Sequence, residues 1–313
     1  MRIVFFGTNP FAAKTLAKLI ENSYEIVAIV TRPDRMKGRN LQPSPPPVKE
    51  TALKLNLQIP IFQPEKASAP EFAEILKPFQ ADLFVVVAYG EIIKKNLLEM
   101  PNLGCINIHG SLLPKLRGAA PIQRSLMQGD AETGITIIEM APQMDAGDVL
   151  AIESIPVPED MTFGELNEKL VDLGVKLLFQ VIRQFQEGNV VKIPQDHTLA
   201  TLAPKLTAEE EKIDWSKPAR KIHNQVRALS PFPSAWCQIK IGNDVKRLKI
   251  KKTQVVQASN AEPGAIISFS KEGWIVGCGS GALRLLEVQL EGKKAMSADE
   301  CIRGIHHPVS MQI

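Results

Sequence analysis

The residues best equipped for chemistry lie between Gly104 and Leu150, in GCINIHGSLLPKLRGAAPIQRSLMQGDAETGITIIEMAPQMDAGDVL. A short apolar run there ends in polar side chains. Cys105, Asn107 and His109 are spaced two apart, so an extended chain turns them to one face. A core strand gains no packing from an amide and an imidazole side by side. A second strand-like run, Ile135 to Met140, leads into a loop carrying Asp145 and Gly147. An amide, an imidazole and a carboxylate meeting at strand ends is the pattern of an active site on an open parallel sheet. Each residue also has a plain reading: a histidine that packs at a strand end, an aspartate that shapes a turn. Their combination, with Ser111 to Pro114 and Arg117 to Pro121 between them, points to a site.

Asn107 supplies a neutral donor for a developing oxyanion. His109 exchanges protons near neutrality, and Asp145 is expected to orient its ring and raise its pKa. The set contains no serine nucleophile. It suits a reaction whose substrate brings its own, such as an amine attacking an acyl or formyl carbon. An α-amino group, with an ordinary pKa of about 7.7–8.0, is partly neutral at pH 7 and needs little activation. Covalent catalysis by Cys105 is the rival route. A cysteine on a buried strand is more simply explained as packing.

The elements that must position these residues follow in order. Arg2 to Phe6 reads as a strand, Phe11 to Ile20 as a helix and Glu25 to Val30 as a second strand. Only Gly7 stands in the intervening turn, so the glycine fingerprint of a dinucleotide site is missing. Arg32 to Pro47 is a proline-rich loop with a basic tip, expected to lack regular structure and suited to phosphate contacts. Helices are expected at 48–57, 69–79 and 91–99, with a short strand at 59–62. Asp82 to Ala88 is a continuous apolar run, as in a central parallel strand. Tyr89 and Gly90 follow at its carboxyl end, where ligands bind such sheets.

Val149 to Val157 looks extended, and Thr162 to Phe185 carries one apolar helical stripe. Residues 190 to 217 are polar and proline-containing. After a helix over 219–228, short strands are expected near 236–241, 246–256, 264–269, 273–277 and 282–290, with a tight turn at Gly277 to Gly281. The fold class is therefore α/β: a Rossmann-like, doubly wound, mostly parallel sheet plus a smaller C-terminal β-barrel. The domains expected are 1–189, a linker at 190–208, and 209–313.

Composition narrows the setting. The 313 residues have 23% charged and 44% hydrophobic side chains, an ordinary soluble balance. Cysteines at 105, 237, 278 and 301 form no CxxC pair, so neither a disulfide framework nor a metal site is expected. His306 and His307 are adjacent and diverge on an extended chain. No signal peptide, membrane span or obligate protein partner is expected, which suggests a cytoplasmic protein. The net charge of +3 conceals −3 over residues 1–204 and +6 over 205–313. A basic C-terminal part suits an anionic partner.

Asn107-Ile108-His109-Gly110-Ser111-Leu112-Leu113-Pro114, then Arg117-Gly118-Ala119-Ala120-Pro121, resembles a signature of the folate-dependent formyltransferases. Gly134-Ile135-Thr136 to Met144-Asp145-Ala146-Gly147 is similar to their second signature. Three further stretches resemble the branch acting on charged tRNA: Arg32 to Arg39 with Pro43-Ser44-Pro45, Ala203 to Thr207 with Ile213-Asp214-Trp215, and Arg227-Ala228-Leu229 with Pro231-Phe232-Pro233. The resemblance implies formyl transfer from 10-formyltetrahydrofolate to the methionine amino group of initiator methionyl-tRNA. It implies catalytic roles for Asn107, His109 and Asp145. It also implies folate contacts from Ser111, Leu112, Leu113 and Pro114, with Tyr89, Gly90 and Ile92 beside them. Arg35, Lys37, Arg39 and Lys205 would contact tRNA, and an OB-like barrel would hold its backbone. The alternatives are a formyltransferase acting on a small amine or sugar nucleotide, and a non-catalytic RNA-binding module.

Overall fold

Strand β1 (Ile3–Gly7) runs into α1 (Pro10–Glu21) through a turn that needs its single glycine. A Cβ on Gly7 would lie 2.6 Å from that of Ala12, so Gly7 serves close helix packing. Asn9 caps α1, its side chain accepting from the Ala12 N–H at 3.0 Å, and Pro10 opens the helix. The computed structural model describes residues 1–37, 42–257, 262–270, 273–305 and 309–312. Arg39, Gly38, His306 and His307 lie outside them. By internal contacts the chain forms two units: residues 1–121, 133–155 and 167–203, and residues 122–132, 156–166 and 204–313.

The first unit continues with β2 (Ile26–Val30), β3 (Arg35–Lys37), β4 (Gln42–Ser44), α2 (Pro47–Lys54), β5 (Ile61–Phe62), α3 (Pro70–Leu76), β6 (Leu83–Val87), α4 (Lys95–Leu98) and β7 (Cys105–His109). Then come β8 (Glu132–Glu139), β9 (Val149–Pro156) and α6 (Phe163–Glu187), while α5 (Pro121–Gln128), just before β8, falls in the second unit apart from Pro121, as does the first turn of α6. The main sheet has the order β5-β2-β1-β6-β7-β8-β9. Strands β5, β2, β1, β6 and β7 are parallel, and β8 is antiparallel to β7. The chain leaves β1 toward β2 and β5, then returns on β1's other side through β6. That reversal is where open α/β sheets bind ligands. The Thr8 hydroxyl closes it by donating to the Tyr89 carbonyl at 2.7 Å.

Burial explains the orientation of β7. All of β6 is buried, as its unbroken apolar run predicts. On α6, Leu166, Leu170, Leu173, Leu177 and Val181 are buried. A Cβ on Gly174 would lie 3.1 Å from Cγ2 of Ile108. Ile108 therefore faces α6, and alternation sends Asn107 and His109 to the opposite face.

Two expectations need correction. The 32–47 loop contains a two-stranded ribbon, β3 with β4, in which Met36 stands opposite Pro43. Both strands of such a ribbon are edges, so a proline there forfeits no second ladder. The helix expected over 91–99 contracts to α4. The Glu91 carboxylate accepts from the Ala67 N–H, the Ser68 hydroxyl donates to the Ile92 carbonyl, and the Lys94 N–H donates to the Ser68 hydroxyl. These side-chain bonds compete with the helical ladder before it starts.

The second unit contains α7 (Ala219–Leu229), β10 (Ala235–Ile241), β11 (Asp244–Val256), β12 (Ile266–Ser270), β13 (Gly273–Gly277), β14 (Ala282–Leu290), β15 (Met296–Ser297), α8 (Ala298–Arg303) and β16 (Val309–Gln312). Its strands form an antiparallel, barrel-like sheet of order β12-β13-β14-β11-β10-β16, with β15 beside β14. The hairpin at Gly277 to Gly281 forms as its glycines predict. Trp215, Trp274, Ile222, Val226 and Leu229 are buried in this unit's core. Buried Arg227 donates to the carbonyls of Leu126, Pro158 and Met161, which ties 122–132 and 156–166 to α7. Among the described residues no helix is long and apolar enough to cross a membrane.

Candidate active site

His109 ends β7 and is 4% exposed. Its Nε2 lies 2.9 Å from the Leu116 carbonyl oxygen. A carbonyl only accepts, so Nε2 carries the hydrogen and Nδ1 keeps its lone pair in the neutral ring. Nδ1 lies 3.6 Å from Oδ2 of Asp145, whose side chain is 14% exposed. That is too long for a hydrogen bond and short enough for strong charge coupling once the ring is protonated.

Asp145 was expected to raise the imidazole pKa. Burial outweighs it: desolvation holds His109 below the ordinary histidine value, against the opposing pull of the Asp145 carboxylate and the Leu116 carbonyl. The Arg117 guanidinium lowers it further. At neutral pH the ring is a free base with an open Nδ1.

Asn107 stands opposite Val86 on β6 and Ile138 on β8, and is partly exposed. Its side-chain amide has no hydrogen-bond partner among the described residues, so its N–H groups are free to donate. Asn107 and His109 share a face by strand alternation, and the loop after β8 brings Asp145 to the ring.

That loop is tightly held. Oδ2 of Asp145 accepts from the Gly118 N–H at 2.8 Å. Gly118 has φ +125°, and a Cβ there would lie 2.7 Å from the Ala203 carbonyl oxygen, so only glycine fits. A Cβ on Gly147 would lie 1.8 Å from the Glu139 carbonyl oxygen. Asp145 itself has φ +51°.

The Ser111 to Pro114 turn is organised by Thr136. Its hydroxyl donates to the Ser111 carbonyl at 2.7 Å and accepts from the Leu113 N–H at 3.1 Å. The buried Ser111 hydroxyl donates to the Lys115 carbonyl, and Leu113 packs with Ile138 and Val149. Leu112 and Pro114 are partly exposed. The Tyr89 ring is buried edge-on against Phe6, while Gly90 and Ile92 are exposed beside it. Burial pushes the Tyr89 phenol up to about 12, so it stays neutral. Arg35 is exposed on β3, and Lys205 is exposed in the second unit. Lys37 ends β3. Among the described residues no group of three or more His, Cys, Asp or Glu side chains is placed to hold a metal ion.

Cys105 is buried, and its thiol donates to the Leu97 and Leu98 carbonyls. Burial pushes its pKa far above the ordinary thiol value, which keeps the thiolate from forming. Cys105→Ala is expected to keep kcat within about twofold of the parent and to lower stability by about 1 kcal/mol. Turnover kinetics and a thermal melt check both.

Sequence reasoning missed two residues of this assembly, Gln195 and Thr201. The Gln195 amide donates to the carbonyls of Asp145 and Gly147, and Thr201 accepts from the Leu116 N–H. They lie in a polar stretch without periodicity, which offered no signal.

Residues 1–182 match the family model described as Formyl transferase, and 205–306 match that described as Formyl transferase, C-terminal domain. The chain is 48% identical over 305 residues to the methionyl-tRNA formyltransferase of Protochlamydia amoebophila, covering 97% of this chain and 95% of that protein. It is 42% identical over 305 residues to the enzyme of that name from Moorella thermoacetica, covering 97% and 96%. Two solved structures share the fold. HypX from Aquifex aeolicus, in complex with tetrahydrofolic acid, superposes with TM-score 0.63 at 17% identity, over 96% of this chain and 47% of that one. The N-formyltransferase from Helicobacter canadensis, in complex with folinic acid and dTDP-3-aminofucose, gives TM-score 0.65 at 17% identity, over 90% and 98%.

Proposed function

The chain belongs to the formyl transferase family, and from that premise we propose that it transfers a formyl group from 10-formyltetrahydrofolate to the α-amino group of methionine on initiator methionyl-tRNA. The observation that carries this reading is the neutral His109 ring, its Nε2–H committed to Leu116 and its Nδ1 turned to Asp145.

In the reaction, the neutral methionine amine attacks the formyl carbon, and the carbonyl electrons move onto oxygen. The Asn107 amide donates to that oxygen as it becomes negative. The nitrogen, now carrying excess protons, passes one to Nδ1 of His109. Asp145 stabilises the imidazolium so formed, at a distance that costs the resting enzyme no bond. Collapse of the tetrahedral centre breaks the bond to the folate nitrogen, which takes up the proton held on the imidazolium, and the neutral His109 ring is restored. No protein nucleophile is needed.

The turn from Ser111 to Pro114, with Gly90 and Ile92, suits the folate donor: its backbone is pinned by Thr136, while Leu112, Pro114 and Ile92 offer apolar surface. Tyr89 would contribute through its backbone, since its ring lies in the core. Arg35, Lys37, Arg39 and Lys205 are the proposed tRNA contacts. The stretch 1–189 would serve as catalytic domain, 209–313 as tRNA-binding domain and 190–208 as the linker between them, its 195–203 part packed within the first unit. Such contacts are salt-dependent. The setting proposed is cytoplasmic, with no membrane or obligate protein partner.

The test offers the protein 10-formyltetrahydrofolate with three acceptors in turn: charged initiator tRNA, glycinamide ribonucleotide and an amino-sugar nucleotide. Formylation of the tRNA alone is expected, with kcat/KM falling as salt rises. Formylation of a small acceptor in preference to tRNA would overturn the reading.

A further inference from the structure

The segment 195–203 holds both halves of the catalytic pair. The Thr201 hydroxyl accepts from the Leu116 N–H at 2.9 Å, and the Thr201 carbonyl accepts from the Arg117 N–H at 2.8 Å. Leu116 has φ +61°, and its carbonyl is the group that fixes the His109 tautomer. On the other side, Gln195 is 8% exposed and saturated with bonds. Its Nε2 donates to the carbonyls of Asp145 at 2.9 Å and Gly147 at 2.7 Å. Its Oε1 accepts from Nε of Arg117 at 3.2 Å and Nη2 at 2.7 Å. Nη2 of Arg117 also donates to Nδ1 of His197 at 2.9 Å.

The direction of these bonds is informative. Arg117 only donates, so it holds the Gln195 oxygen toward itself and thereby aims both amide hydrogens at the Asp145 loop. Asp145 sits in the left-handed region, which aspartate tolerates better than most residues, and two hydrogen bonds fix it there. The Gly118 N–H holds its carboxylate, and Gln195 holds its backbone carbonyl.

We infer that Gln195 is a positioning residue for formyl transfer: oriented by Arg117, it locks the Asp145 loop so that the carboxylate stands beside Nδ1 of His109. The inference rests on the catalytic reading given above. Gln195 touches no reacting atom in it and acts through Asp145. A small displacement of a catalytic group costs rate more than affinity, because the ground-state complex does not use the Asp145–imidazolium contact.

The ionisable groups facing the ring are Asp145, which favours its protonation, and Arg117, which opposes it. If the loop drifts, the ring loses the favourable partner and keeps the unfavourable one. Its pKa then falls, and the acid limb of the kcat profile moves to lower pH. A variant that merely unfolds more readily would lower the whole profile without moving the limb.

The test uses the full-length enzyme with saturating donor and charged initiator tRNA. Gln195→Glu keeps the Arg117 contact and faces an acceptor against two carbonyls, and Gln195→Met removes both sets of bonds at similar volume. Both variants are expected to lose kcat by about tenfold or more with either KM changed by less than about threefold. The acid limb of Gln195→Met, which adds no charge beside Arg117, should move to lower pH. Asp145→Asn is measured alongside. If it is inactive while Gln195→Glu matches the parent in kcat and pH profile, the positioning role is overturned and the catalytic reading stands. If Asp145→Asn turns over normally, the catalytic reading itself fails. A loss of kcat that follows the drop in thermal midpoint, with the limb unmoved, would reduce Gln195 to a structural residue.

Discussion

Asp145→Asn is expected to reduce kcat by about 10³-fold or more while leaving the fold and both KM values close to the parent's. The asparagine carbonyl can still accept from the Gly118 N–H, and the Gln195 bonds run to the backbone, so the loop keeps its shape. What disappears is the negative charge 3.6 Å from Nδ1 of His109. In the resting enzyme the ring is neutral and that charge does little. In the proposed reaction the ring becomes cationic as the amine gives up its proton, in a site where burial already penalises the charged form. The carboxylate then stabilises the transition state far more than the ground state, which is the condition for an effect on kcat. Single-turnover formylation of charged initiator tRNA measures it. A variant within tenfold of the parent would remove Asp145 from the mechanism.

His109→Ala is expected to cost about 10²- to 10⁴-fold in kcat, the range for losing a general base, and to abolish the acid limb of the kcat profile. In the parent that limb should lie below the ordinary histidine pKa of about 6.5, because burial depresses the ring's pKa and the free base persists into mildly acidic solution. Stability follows the same sign. The unfolded chain takes up a proton near pH 6.5 that the folded ring resists, so stability contributed by the buried neutral ring is lost as pH falls through that region. The variant should lose part of this acid sensitivity. It should also lose about 1–3 kcal/mol of stability at neutral pH, since the buried Leu116 carbonyl is left without its donor. Denaturant melts at several pH values separate the two. An unchanged acid limb in the variant would assign that titration to another group.

The two corrections to the fold share one origin. Residues 91–94 have helical composition, yet Ser68 bonds the Ile92 carbonyl and the Lys94 N–H, and the Glu91 side chain is drawn to the Ala67 N–H. The prolines of 32–47 exclude an interior strand but not a two-stranded ribbon. In both places distant or facing residues overrode the local preference.

The sequence by itself determined the strand–helix alternation around β1, β2, β6 and β7, the buried run of β6, the short strands β10 to β14, and the common face of Asn107 and His109. These depend on the period of the chain and on apolar pattern, which neighbouring residues specify. Tertiary structure alone decided the neutral state of His109. Desolvation depends on what packs around the ring, and its cost exceeds the favourable pull of Asp145. It also decided which nitrogen carries the hydrogen, because the Leu116 carbonyl is presented by a loop pinned from residue 201. Gln195 acquired its place in the same way. An amide in a polar stretch has no pattern to betray it until the fold brings two loop carbonyls and a guanidinium within its reach.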